Sequence, residues 1–216
     1  MAWNPLPMQA SEGKAYETLQ GPMLLANGAF YMQYGSATQV DTTAVETSIL
    51  LGSPSTWSGS VPGSSSGPAS NRWIPSESAS VGTMIEGCLW GTMMVNATPA
   101  LRLRVGLYNA AGAFSALCDL ASFTIAAAGA GSAFRCYWTT IITANAVNVV
   151  TLRTTLGFSH GSVAAGSLQR IIETAPQDVT AVNVTGGGTW DVRATYDASH
   201  ADNRIQVQYG FIRLVG

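Results

Sequence analysis

The strongest constraint in this sequence is a clean two-residue alternation. In Leu101-Arg-Leu-Arg-Val-Gly-Leu-Tyr108, Leu101, Leu103, Val105 and Leu107 fall on one side and Arg102 and Arg104 on the other. Strand side chains alternate between the two faces of a sheet, so this segment reads as a strand with one buried and one polar face. Trp190-Asp-Val-Arg-Ala-Thr-Tyr196 repeats the pattern with Trp190, Val192, Ala194 and Tyr196 apolar. In Ile205-Gln-Val-Gln-Tyr209 the odd positions are apolar, and after Gly210 the apolar set shifts to Ile212 and Leu214, which predicts a bulge or a strand buried on both faces. Further strands are expected over 83–95, 117–125, 134–142, 147–158, 167–173 and 178–184, divided by turn signals such as Asn96-Ala-Thr-Pro99 and Gly186-Gly-Gly188. About eight to nine strands spaced in this way indicate a sandwich or barrel. No apolar stripe of helical period exceeds two turns; 7–19 is the best helical candidate.

Composition narrows the class. Of 216 residues only 10% are charged while 47% are hydrophobic, which excludes a disordered chain, since disorder needs high charge and low hydrophobicity. A net charge of -2 and ten basic residues, thinly spread, make no basic face, so no nucleic-acid partner is expected. Lys14 is the only lysine, and arginine suits planar contacts at partly buried interfaces. Cys88, Cys118 and Cys136 contain no CxxC pair, which favours buried free thiols over a zinc site or a disulfide framework. No stretch is long and apolar enough for a membrane span, and the first residues lack the charged and apolar regions of a signal peptide, so a soluble product of a cytoplasm is expected.

The texture changes along the chain. Residues 1–52 hold apolar patches without a persistent period and read as an extended, largely irregular arm; 53–71, rich in Ser, Gly and Pro and free of charge, reads as a flexible or extended connector. Residues 72–216 then read as a β-sandwich domain.

Catalytic motifs fare poorly. Gly63-Ser-Ser-Ser-Gly67 matches the nucleophile elbow but lies in the connector, without the strand and helix that motif requires. His160 and His200 sit in turn-like stretches, with no carboxylate at metal-ligand spacing. Asp197, Asp202 and Asn203 share one loop, where turn capping is the expected role. The twelve acids are scattered singly and suggest no paired-carboxylate site. The expectation is a non-enzyme with no catalytic residue, metal, cofactor or small-molecule ligand.

The aromatics carry more. Trp90, Trp138, Trp190 and Tyr196 fall in register with apolar strand faces and are expected in the core. Trp3, Leu6, Phe30, Tyr31, Tyr34 and Trp57 lie in the arm and connector, with no periodic face of their own to bury. They must dock on the β-domain or on a partner, and are the candidate partner-binding residues.

Two stretches carry a resemblance. One is Val81-Gly-Thr-Met-Ile-Glu-Gly-Cys-Leu-Trp-Gly-Thr92 with the segment from Thr98 to Leu107; the other runs from Asp178 to Val215. Together they resemble the jelly-roll modules of tailed-bacteriophage structural proteins, including capsid decoration (cement) proteins and fibre tips. The resemblance covers about residues 75–216 and implies an all-β jelly roll, assembled as a homotrimer. It implies a decoration protein on the outer surface of the head, bound to the major capsid protein lattice. The alternative is a fibre or tail-tip protein that binds a host receptor or glycan. Low charge fits a surface largely covered by neighbours.

Overall fold

The computed structural model describes residues 29–33, 39–41, 46–49, 73–74, 81–95, 100–109, 113–124, 128–147, 149–161, 170–184, 188–198, 200 and 203–215. Within them the chain forms thirteen strands and no helix, and so none long and apolar enough to cross a membrane. The larger sheet contains β1 (Ala29–Gln33), β2 (Gln39–Asp41), β5 (Met84–Val95), β8 (Ala128–Ala146), β9 (Val149–His160), β10 (Arg170–Glu173), β11 (Gln177–Asn183) and β13 (Arg204–Val215). Its order is β1-β13-β5-β8-β9-β10, with β2 added to β13 and β11 to β9. The smaller sheet contains β3 (Thr47–Ser48), β4 (Trp73–Ile74), β6 (Ala100–Tyr108), β7 (Phe114–Thr124) and β12 (Gly188–Tyr196), in the order β3-β12-β6-β7 with β4 also on β12. Strand pairing is antiparallel throughout. The last two strands insert beside β5 and β6, so chain-early and chain-late strands interleave in both sheets, which is the jelly-roll arrangement.

The alternation in β6 and β12 settles the packing. Leu101, Leu103, Val105 and Leu107 pair across the ladder with Tyr196, Ala194, Val192 and Trp190, and all are buried. The larger sheet answers with Ile85, Leu89, Phe134, Trp138, Leu156 and Phe158. Ring contacts tie the sheets together: Trp138 to Trp190 with centroids 6.4 Å apart, and Phe123 to Phe158 at 5.5 Å. Glycines make room for these rings. Gly87 stands opposite Trp138 and Gly91 opposite Phe134, and a Cβ at either glycine would collide with the facing ring.

Where the structure describes the expected arm, its short segments dock on the sandwich. β1 and β2 lie along β13, and β3 lies along β12. Residues from the N-terminal third thus cover the outer edges of β12 and β13, one in each sheet. An exposed edge invites foreign strands. Covering one needs only short segments with a single neighbour, so no period shows in the sequence. Ile49 completes the attachment: its amide donates to the Val192 carbonyl and its side chain is fully buried. The expected helix at 7–19 and the 53–71 connector lie outside the described residues.

The expected bulge in β13 is present, between Val207 and Tyr209. Ile205, Val207 and Ile212 are buried, whereas the bulge turns Tyr209 outward, where it is 49% exposed. The expected odd-numbered apolar face therefore ends at Val207.

Candidate binding face on the larger sheet

The outward face of the larger sheet carries an aromatic ladder. On β5 the odd positions Ile85, Leu89 and Met93 face the core, so the even positions Glu86, Cys88 and Trp90 face outward. Sequence phase misassigned Trp90 to the core, because Cys88-Leu89-Trp90 is apolar on both faces. Cross-strand register sets the rows. Tyr209, Trp90, Arg135, Ser159 and Ile171 form one row from β13 to β10; Phe211, Cys88, Tyr137, Gly157 and Glu173 form the next.

The geometry of the ladder is specific. Trp90 stacks on Tyr209 with centroids 5.1 Å apart and planes 14° apart, and meets Phe211 at 5.8 Å. The Arg135 guanidinium lies 5.7 Å from the Trp90 ring and 4.9 Å from the Tyr137 ring, within reach of cation–π attraction. Arg135 Nε donates to Cys88 Sγ at 3.1 Å, which explains why an outward-facing thiol is buried. Burial pushes the Cys88 thiol up, more than the hydrogen bond and charge of Arg135 lower it, so it is neutral at pH 7. The Tyr137 hydroxyl donates to Glu173; burial first, then this carboxylate, pushes Tyr137 up to about 12. The Tyr137 ring lies across Gly157, where a Cβ would collide with it. Arg213 pairs with Glu86 and covers Phe211 at 5.1 Å.

The outward face of the smaller sheet is built differently. Glu46, just before β3, sits in a fork between Arg104 and Arg193, which oppose each other across β6 and β12. Arg193 Nε donates at 3.1 Å to Asp191, a fully buried carboxylate that also accepts a 2.5 Å bond from Ser48 Oγ. Arg102 pairs with Asp119. Burial alone would raise the Glu46 carboxyl, but Arg104 and Arg193 together outweigh it and hold the group below the ordinary value. Burial lowers Arg193 more than Glu46 raises it. Phe114 covers Arg193 at 4.0 Å, and a shallow cleft of about 290 Å³ opens among Glu46, Arg102, Arg104, Ser122, Thr195 and Asp197.

Of the sequence candidates, Phe30 and Tyr31 fall in β1, with Tyr31 in register with Ile212. Trp3, Leu6, Tyr34 and Trp57 lie outside the described residues. His160 is not a solvated loop residue: it ends β9, buried, with its ring 6.0 Å from Phe158. Asn203 takes the expected role within its loop, donating to the Ala198 carbonyl, whereas the Asp197 carboxylate accepts from the distant Ala100 amide at the start of β6. Cys88, Cys118 and Cys136 are buried free thiols. Among the described residues no group of His, Cys, Asp and Glu is arranged to hold a metal. Sequence reasoning missed Trp90, Tyr209 and Arg135 as surface residues. The available signal was the glycines at 87 and 91, which mark odd positions as facing large rings and so put Trp90 on the other side.

No family model and no curated protein matches the chain. Among solved structures it is similar to the CBM2 module of the evolved Dit of Lactobacillus casei BL23 phage J-1, at 13% identity over 85% of this chain and 97% of that one, with a TM-score of 0.29. It is also similar to a legume lectin-like domain from Entamoeba histolytica, at 8% identity over 63% and 74% of the two chains, with a TM-score of 0.25. Likenesses this distant carry no argument about function, which rests on the faces themselves.

Proposed function

We propose that the chain is a non-enzymatic virion structural protein of a tailed bacteriophage, a decoration protein that docks on the assembled head as a trimer. One observation supports this reading above the rest: Trp90, Tyr209, Phe211, Tyr137, Arg135 and Arg213 gather on one outward sheet face. Trp, Tyr and Arg are the residues that dominate binding energy at protein interfaces. The manner of packing favours a protein partner over a glycan. Stacking a sugar needs an open ring face, whereas Trp90 has Tyr209 on it at 5.1 Å and Arg135 at 5.7 Å.

Docking of this kind stabilises by mass action. A ligand that binds only the assembled lattice contributes RT ln(1 + [L]/Kd) per site, and three linked copies raise the effective concentration of one another. The test is co-sedimentation of the full chain with heads of the encoding phage that lack it, together with its copy number relative to the major shell protein. Saturation at hundreds of copies and a head that survives higher temperature are expected. Binding to host cells or arrayed glycans, with no binding to heads, would establish the fibre-tip reading instead.

A further inference from the structure

Among the described residues, the outward face of the larger sheet carries an arginine with no carboxylate partner. Arg102 pairs with Asp119, Arg104 with Glu46, Arg153 with Asp178, Arg193 with Asp191 and Glu46, and Arg213 with Glu86. Arg135 pairs with no carboxylate among the described residues. Its partners among the described residues are the Cys88 sulfur and the rings of Trp90 and Tyr137, groups that carry no charge at neutral pH. Glu173, in the adjacent row, is engaged by the Tyr137 hydroxyl. The guanidinium stands in the middle of its row, with the Trp90–Tyr209 stack on one side and Ile171, 62% exposed, beyond Ser159 on the other.

We propose that Arg135 is the anchor of the docking face, and that the group it receives is an aspartate or glutamate carboxylate on the surface of the head lattice. The inference rests on the docking reading above and deepens it by naming the chemistry of the partner. Three observations carry it. Arginine offers a fork of donors that matches a carboxylate in two-point contact. Flanking rings and Ile171 give that contact apolar walls, and excluding water strengthens a charge-assisted bond. The ring walls also hold the guanidinium in place before the partner arrives, which lowers the ordering cost of binding.

The experiment uses the full chain and heads lacking it, with co-sedimentation at low and high salt. Arg135→Gln and Arg135→Glu are expected to weaken binding by about tenfold or more while leaving the thermal transition of the free protein close to wild type. Arg135→Lys is expected to restore part of the loss, and the salt dependence should be shallower in Arg135→Gln than in wild type. Wild-type binding by Arg135→Glu, with binding lost in Trp90→Ala/Tyr209→Ala, would overturn the anchor and leave the docking face standing. Undiminished binding by both variants would overturn the docking face itself. Arginine-dependent capture of polysialic acid or polygalacturonate, without capture of heads, would overturn the protein partner.

Discussion

Arg193 and Arg135, on opposite outward faces of the sandwich, are held in opposite ways. On the smaller sheet Arg102, Arg104 and Arg193 each meet a carboxylate of the same chain, and Phe114 covers Arg193. On the larger sheet Arg135 is held by rings and a neutral thiol. The first arrangement is internally neutral and joins distant segments: Glu46 reaches Arg104 across 58 positions and Arg193 across 147. A cation neutralised inside the chain holds strands together, whereas one framed by rings without a counter-charge is available to something outside. The contrast also locates the N-terminal third. Glu46, Ser48 and Ile49 belong to the smaller sheet's architecture as much as β12 does.

Truncation gives the largest expected effect. Removing residues 1–50 takes away β1, β2, β3, the buried Ile49 and the carboxylate between two opposed arginines. Loss of the Ile49 side chain alone is worth about 2–5 kcal/mol, and two sheet edges are uncovered as well. Circular dichroism and gel filtration should show a chain that unfolds below 37 °C or aggregates. A well-folded 51–216 fragment would mean that the described N-terminal strands are ornamental.

Next in size is Asp191→Ala. This carboxylate has no exposed surface and accepts from both Ser48 and Arg193. Its removal leaves a half-buried guanidinium and a hydroxyl short of a partner, at a cost of about 3 kcal/mol in denaturant unfolding. A loss below about 1 kcal/mol would show that the network is relaxed by solvent and that the smaller sheet's face is not structural in the sense argued.

Glu46→Gln probes the same network through pH. The folded Glu46 carboxyl is held below its ordinary value of 4.5 once Arg104 and Arg193 have outweighed burial. A group with a depressed folded pKa stabilises the fold above its unfolded pKa and loses that contribution as pH falls through the folded value. Wild type should therefore exceed the variant in melting temperature by a constant margin from about pH 5 upward, and the margin should shrink below that. At neutral pH the difference should be about 1 kcal/mol, the gap between a charge-assisted hydrogen bond and the neutral one that glutamine can still make. Parallel melting curves from pH 3 to pH 7 would remove Glu46 from the network.

Much of this architecture was legible in the sequence. Alternation in 101–107 and 190–196 placed two central strands of the smaller sheet with the correct buried face, and the phase change near Gly210 announced the bulge in β13. The rest was hidden for physical reasons. β1 and β3 span five and two residues, too few to show a period. Trp90 was misplaced because strand β5 is apolar on both faces, one packed inside and the other carrying the ring ladder. The fork around Glu46 joins three residues far apart in sequence, and no local pattern reports it. Arg135 lies in an alternating run, but its want of a carboxylate partner among the described residues is a property of the assembled face.

The smallest expected effect is the most discriminating. Arg135→Gln removes an exposed guanidinium whose contacts are two rings and one thiol. Cation–π contacts at exposed sites are worth about 0.5–1 kcal/mol, and glutamine retains part of the hydrocarbon stem that covers Cys88. For a chain of this size 1 kcal/mol moves the melting temperature by about 2–4 °C. The variant should thus melt within about 4 °C of wild type, well above Asp191→Ala, which loses about three times as much free energy. The two variants compare arginine contacts on opposite faces of one sandwich in a single assay. If Arg135→Gln melted as low as Asp191→Ala, Arg135 would be a structural member like Arg193, and the larger sheet's face would need its cation for folding rather than for a partner.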